Sequence, residues 1–199
     1  ANVTFNNVTF DYYPNVNYTG LQHSGNLVYN NCTFNGQVFL YGASETFNGC
    51  TFNQNSANAY NVWTYGAKKV EFNNCTFNSV GKSVLIYHEN KGQNVTFVDC
   101  VLNASAKVEG KAAIEIDSSL LKNENKYTIV INGTTANGFA NGNVSGEPLW
   151  NQKKGQKHVC YKERLRHILL RLCVLLRQGL LLLFFAWRNL IFRNFQSNL

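Results

Sequence analysis

The chain contains no methionine, not even at position 1. It opens inside repetitive text, Asn2-Val3-Thr4-Phe5 followed by Asn7-Val8-Thr9-Phe10, so a fragment or a processed product is expected. Arginine is absent from residues 1–150, which hold eight lysines against ten Asp and Glu, a net charge of −2. That region therefore offers no basic surface for a phosphate backbone, which argues against nucleic-acid binding. Aspartate occurs there only at Asp11, Asp99 and Asp117, and there is no Asp-Asp pair. The glycines are scattered without a phosphate-cradling pattern, and Cys160 and Cys173 lack zinc-ligand spacing. These absences leave no metal site, cofactor site or catalytic residue to assign.

What is present is a repeat. Asn31-Cys32-Thr33-Phe34 returns as Gly49-Cys50-Thr51-Phe52, as Asn74-Cys75-Thr76-Phe77 and as Asp99-Cys100-Val101-Leu102. The cysteines step by 18, 25 and 25 residues. A period in this range marks stacked units, each covering the apolar face of the one before. Within a unit, Val70, Phe72, Cys75 and Phe77 alternate with polar residues, the period of a half-buried strand. Asn73-Asn74 interrupts the alternation, and Asn tolerates the left-handed conformation of a sharp corner. Further strands are expected at 37–41, 61–65, 83–88, 112–117 and 127–132. A degraded corner is expected at Ile131–Thr135, and one more strand after Leu149. In a parallel stack Phe34, Phe52, Phe77 and Leu102 would form one interior column, and Cys32, Cys50, Cys75 and Cys100 another. Parallel Cβ vectors disfavour disulfides, so reduced, buried thiols are expected. The step of 18 implies a shorter unit or a missing outer loop.

These Asn-x-Thr-Phe corners at 25-residue intervals resemble the right-handed parallel β-helix repeat family, the pectin-lyase-like superfamily, and in particular its Asn-rich bacterial surface proteins. The resemblance covers roughly residues 1–150. It implies an all-β, right-handed parallel β-helix, in an extracellular or cell-surface protein. Lyases of that family use Ca²⁺ held by carboxylates with an Arg or Lys base, and the hydrolases use clustered Asp. This chain departs from both, so no catalytic residue carries over, and that fold hosts many activities.

Residues 151–199 change character. Four Lys and six Arg face the single acid Glu163, and Leu and Phe dominate. No Gly or Pro interrupts 158–178, so a Leu/Arg-rich α-helical tail is expected, continuously apolar from Gly179 to Trp187. One reading is a transmembrane helix at Ile168–Trp187. Its thirteen Leu, Ile, Val and Phe favour insertion by roughly 4–8 kcal/mol, against about 5–7 for Arg171 and Arg177. Others are a basic helix lying on an anionic membrane, a non-native end appended at about position 150, and a cap for the solenoid. The abrupt change of composition favours the non-native end. Membrane contact through residues 164–192 follows from the first two.

Nine Asn-x-Ser/Thr sequons, at Asn2, Asn7, Asn17, Asn31, Asn74, Asn94, Asn103, Asn132 and Asn143, admit a glycosylated secreted protein or simply the spelling of the repeat. The second is preferred. The candidate functional residues lie on the second set of strands: Phe39, Tyr41, Trp63, Tyr65, Tyr87, His88, Glu115 and Asp117. If Phe39, Trp63 and Tyr87 share an outward register, their rings make a flat ladder that stacks on sugar, with the polar groups orienting a glycan. The expected function is a non-catalytic carbohydrate-binding or adhesive repeat module. The alternatives are a piece of a polysaccharide lyase or hydrolase, and a membrane-associating protein acting through its tail.

Overall fold

The computed structural model describes residues 1–11, 20–21, 25–87, 93–117, 128–152 and 159–162. The expected tail helix, His88 and the Asn17 sequon lie outside the described residues.

The described residues form strands that wind in successive rungs of three. The first rung holds β1 (Asn2–Asn6), β2 (Thr9–Asp11) and β3 (Gly20–Leu21). The second holds β4 (Asn26–Asn30), β5 (Thr33–Asn35) and β6 (Val38–Leu40), and the third β7 (Ser44–Asn48), β8 (Thr51–Asn53) and β9 (Val62–Trp63). The fourth holds β10 (Lys69–Asn73), β11 (Thr76–Ser79) and β12 (Val84–Tyr87), and the fifth β13 (Asn94–Val98), β14 (Val101–Ala104) and β15 (Ile114–Asp117). The sixth holds β16 (Thr128–Asn132), β17 (Thr135–Asn137) and β18 (Trp150–Gln152), and β19 (Val159–Lys162) opens a seventh. Like strands pair in parallel, giving one sheet of seven strands and two of six. This is the arrangement of a β-helix solenoid. The expected strands appear within one or two residues of their sequence bounds, and β18 and β19 carry the stack through Lys162.

The corner between the first and second strand of every rung has one construction. Asn7, Asn31, Gly49, Asn74, Asp99 and Gly133 occupy it in turn, all with φ between 52° and 61°. Only a residue that tolerates the left-handed region can sit there, which is why the sequence spells Asn, Asp or Gly at this point. After the corner, Cys32, Cys50, Cys75 and Cys100 turn inward in one column. Val8 precedes them and Thr134 follows them in register. The four thiols are free. Each lies against two backbone carbonyls, as Cys100 Sγ does with Phe72 O and Val98 O, both at 3.4 Å. Thr134 Oγ1 makes the equivalent bond to Asn132 O at 3.2 Å, so a hydroxyl replaces the thiol without breaking the pattern.

Two aromatic columns fill the core. Phe10, Phe34, Phe52 and Phe77 stack at 4.7–5.0 Å, and Leu102 continues them in register. Phe5, Tyr29, Phe47, Phe72 and Phe97 stack at 4.8–5.1 Å. The columns meet nearly edge-to-face, with Phe34 and Phe47 at 5.6 Å and 74°. Parallel strands about 4.8 Å apart place identical rings at offset-stacking distance, and edge-to-face contact between columns suits the ring quadrupoles. The third sheet closes the core with Val38, Val62, Val84 and Ile114 in one column.

Asparagine ladders run along the outside. Asp11, Asn35, Asn53, Asn78, Asn103 and Asn137 form one, each Asn Nδ2 donating to the preceding rung's Oδ1 at 2.6–3.2 Å. Asn6, Asn30, Asn48 and Asn73 form another, and it stops at Val98. The short step between Cys32 and Cys50 has a structural cause. Only Gly36 and Gln37 separate β5 from β6, and only residues 41–43 separate β6 from β7. Eighteen residues are three strands with bare corners. The longer third rung adds the segment 54–61, from which Tyr60 packs against Trp63 of the third sheet.

Candidate functional site

Strand parity decides what the third sheet presents outward. On β6, β9, β12 and β15 the inward residues are aliphatic, Val38, Val62, Val84 and Ile114 in one column with Leu40, Ile86 and Ile116 two residues further on, and the alternate residues project away from the core. Register aligns Phe39 with Trp63, Leu85, Glu115 and Asn151. Two residues further on, Tyr87 aligns with Asp117, and the rings of Tyr41, Tyr65 and Tyr87 follow one another at 5.3 and 5.5 Å. The expected Phe39–Trp63–Tyr87 column is therefore corrected. Leu85 takes the third place in the first column, and Tyr87 belongs to the second. Phe39 and Trp63 do stack, at 5.0 Å and 30°.

Exposure divides these residues. Phe39 is only 2% exposed, beneath Trp63 and Tyr65, and Glu115 only 6%. They support the face from below. Tyr41, Trp63, Tyr65, Tyr87 and Asp117 are half-buried and form its accessible part. Gly66 lets Tyr41 lie down, since a Cβ there would come 2.7 Å from the Tyr41 ring. Tyr60, on the inserted segment of the third rung, packs edge-on to Trp63 at 6.1 Å, with Lys82 Nζ 5.8 Å from its ring centroid. Nothing in the periodic text singled out Tyr60, because it lies in the segment between the second and third strands, whose length and sequence do not follow the repeat. The Trp63 indole N–H is buried without an acceptor among the described residues.

The electrostatics of the face are acidic at its later end. Burial, then the charges of Glu115 and Asp117, push the Tyr60 phenol above its ordinary range. Glu115 accepts the Ala112 N–H at 2.7 Å and the Asn151 amide at 3.1 Å, with Lys111 Nζ at 3.7 Å. Burial nonetheless raises its carboxyl, the Lys111 charge and these hydrogen bonds opposing. Asn151 also donates to Asn143 Oδ1 at 2.9 Å, so Glu115 sits in a closed polar cluster.

A second carboxyl went unnoticed in the sequence. Glu45 is fully buried, in the inward column of Leu27 and Val70. Its Oε1 accepts the Gly42 N–H at 2.5 Å, and its Oε2 has no partner among the described residues. Desolvation pushes it up to about 7, against the lowering effect of the Gly42 and Tyr41 backbone. Parity could have found it, since Glu45 precedes Phe47 by the same two residues as Val70 precedes Phe72.

Among the described residues no group of three or more His, Cys, Asp or Glu could hold a metal ion, and no helix is long and apolar enough to cross a membrane. No known protein family, curated protein or solved structure matches the chain.

Proposed function

We propose that this chain is a non-catalytic, extracellular or cell-surface repeat module, a right-handed parallel β-helix of the pectin-lyase-like type, that binds carbohydrate through the outer face of its third sheet. The observation that carries this reading is the pair of outward aromatic columns. Trp63, Tyr65 and Tyr87 present half-exposed rings on a rigid sheet, with Phe39 packed beneath them. Rings held flat by a β-scaffold pack against the C–H faces of pyranoses, and Tyr hydroxyls and Asp117 supply directional hydrogen bonds. The right hand follows from the general preference of parallel crossovers.

A glycan array probed with the wild type and with Trp63→Ala tests it. The expected result is retention of one class of glycan by the wild type and its loss in the variant. Absence of binding to any glycan, or binding untouched by Trp63→Ala, would remove the reading. Release of unsaturated or reducing ends from pectin or alginate would replace it with an enzymatic one.

A further inference from the structure

The repeat spells Asn-x-Ser/Thr many times, yet the fold treats these asparagines in two different ways. Asn7, Asn31 and Asn74 stand at the left-handed corners, exposed, and their side-chain amides have no hydrogen-bond partner among the described residues. The middle residue of each sequon, Val8, Cys32 or Cys75, turns toward the core. Asparagine and Thr9, Thr33 or Thr76 therefore emerge together on the outer surface. Asn94, at the start of β13, is likewise exposed, with Val95 buried and Thr96 outward.

Other sequons are closed. Asn103 donates to Asn78 and accepts from Asn137, so both ends of its amide belong to a ladder. In Asn132-Gly133-Thr134 the hydroxyl is buried, donating to Asn132 O and accepting from Cys100 N. In Asn143-Val144-Ser145 the Asn143 Oδ1 takes the Asn151 amide, and Ser145 Oγ lies within 2.5 Å of Trp150 O.

We infer that the corner asparagines Asn7, Asn31 and Asn74, together with Asn94, are acceptor sites for N-linked glycan. The co-substrate is a polyprenyl-diphosphate-linked oligosaccharide, used by an oligosaccharyltransferase. Nδ2 forms a bond to the anomeric carbon, and the anomeric C–O bond to the diphosphate breaks with its electron pair left on the phosphate oxygen. The amide loses one proton to the released diphosphate. The fold favours this modification at the corners, where the acceptor nitrogen makes no competing hydrogen bond and the sequon hydroxyl is open. Spacing helps as well. The rung between Asn31 and Asn74 carries Gly49, so these two acceptors stand two rungs, roughly 9–10 Å, apart along the stack. A Cβ at Gly49 would meet Asn31 Oδ1 at 2.7 Å, so its absence leaves the Asn31 amide room.

The test is to incubate the folded full chain with an oligosaccharyltransferase and a lipid-linked oligosaccharide donor, and to locate glycan by peptide mass spectrometry. A parallel sample is unfolded in urea and diluted directly into the reaction. Occupancy of Asn31 and Asn74 in the folded chain, with Asn103, Asn132 and Asn143 modified only in the unfolded one, is the expected result. Thr33→Val, which keeps the β-branched shape, should abolish occupancy at Asn31 alone, and Thr33→Ser should restore it. A folded chain that stays unmodified while the unfolded chain is glycosylated would overturn the inference. So would equal occupancy at Asn103 and Asn31 in the folded chain.

Discussion

Glu45 Oε1 lies 2.5 Å from the backbone nitrogen of Gly42, and a Cβ on Gly42 would come 2.7 Å from that same oxygen. A carboxyl has thus been folded into an apolar column, held by backbone at Gly42 and Tyr41 and with no counter-charge among the described residues. Its acidity is weakened to about 7 in the folded chain. The unfolded value is about 4.3, so the folded state holds the proton more tightly. The stabilising effect of that proton is fully present below about pH 4 and is lost as pH rises through about 7. Chemical denaturation from pH 4 to 8 should show Glu45→Gln gaining on the wild type by about 3 kcal/mol across this window. A difference independent of pH would mean that folding leaves the acidity of Glu45 unchanged.

Gly42→Ala should destabilise more than a loop Gly→Ala substitution, because the new methyl collides with Glu45. About 1–3 kcal/mol is expected, read from the midpoint of urea unfolding. Gly146, with nothing within 4 Å of its Cβ direction but a φ of 73°, is the control for backbone strain alone.

Phe52 stacks on Phe34 and Phe77 and meets Phe47 and Phe72 near edge-on. Phe52→Ala leaves a cavity that neighbouring rungs cannot close, since their strands are pinned by ladders on both sides. A loss of about 3–5 kcal/mol is expected. The terminal stack member Phe10, half-buried and with one fewer stacked neighbour, should cost less.

Asn53 gives one amide bond to Asn35 and receives one from Asn78, both at 2.9 Å. Asn53→Ala removes both at a partly solvated position, where a hydrogen bond contributes about 1 kcal/mol. Asn55→Ala, exposed and outside the ladder, should leave the unfolding midpoint unchanged.

The column cysteines should react with a thiol reagent only after unfolding. All four are buried. Burial raises the Cys32 thiol, and hydrogen bonds among the column thiols raise Cys75 while lowering Cys50 and Cys100, so it is enclosure in the core that protects all four from the reagent. Titration of native and urea-unfolded protein with Ellman's reagent checks this. Rapid native-state reaction at these four positions would contradict the buried ladder.

Much of the fold was legible because each rung repeats one local solution. A positive-φ corner admits Asn, Asp or Gly. The residue after it must be small enough to turn inward, and the ring two residues later must face the core. Those demands are local, so they print themselves on the text at Asn31-Cys32-Thr33-Phe34 and its copies. The second aromatic column was readable by the same parity, from Phe47 and Phe72. The functional face was harder to read. Whether Tyr87 or Leu85 stands beside Trp63 depends on how many residues separate the second strand from the third, and that number varies among the rungs, being Gly36 and Gln37 alone in the second and residues 105–113 in the fifth. Burial of Phe39, a residue projecting away from the core, depends on rings arriving from the neighbouring rung.

By itself the sequence determined the period, the corners and the inward columns, that of Cys32, Cys50, Cys75 and Cys100 included, because each follows from backbone conformation and alternation within a few residues. Only the tertiary structure decided which outward rings adjoin, which asparagine amides are tied into ladders and which stand free, and that Glu45 is enclosed. Those outcomes are set between rungs, where the contacting residues are 18 to 34 positions apart and the loops that bring them together obey no repeat.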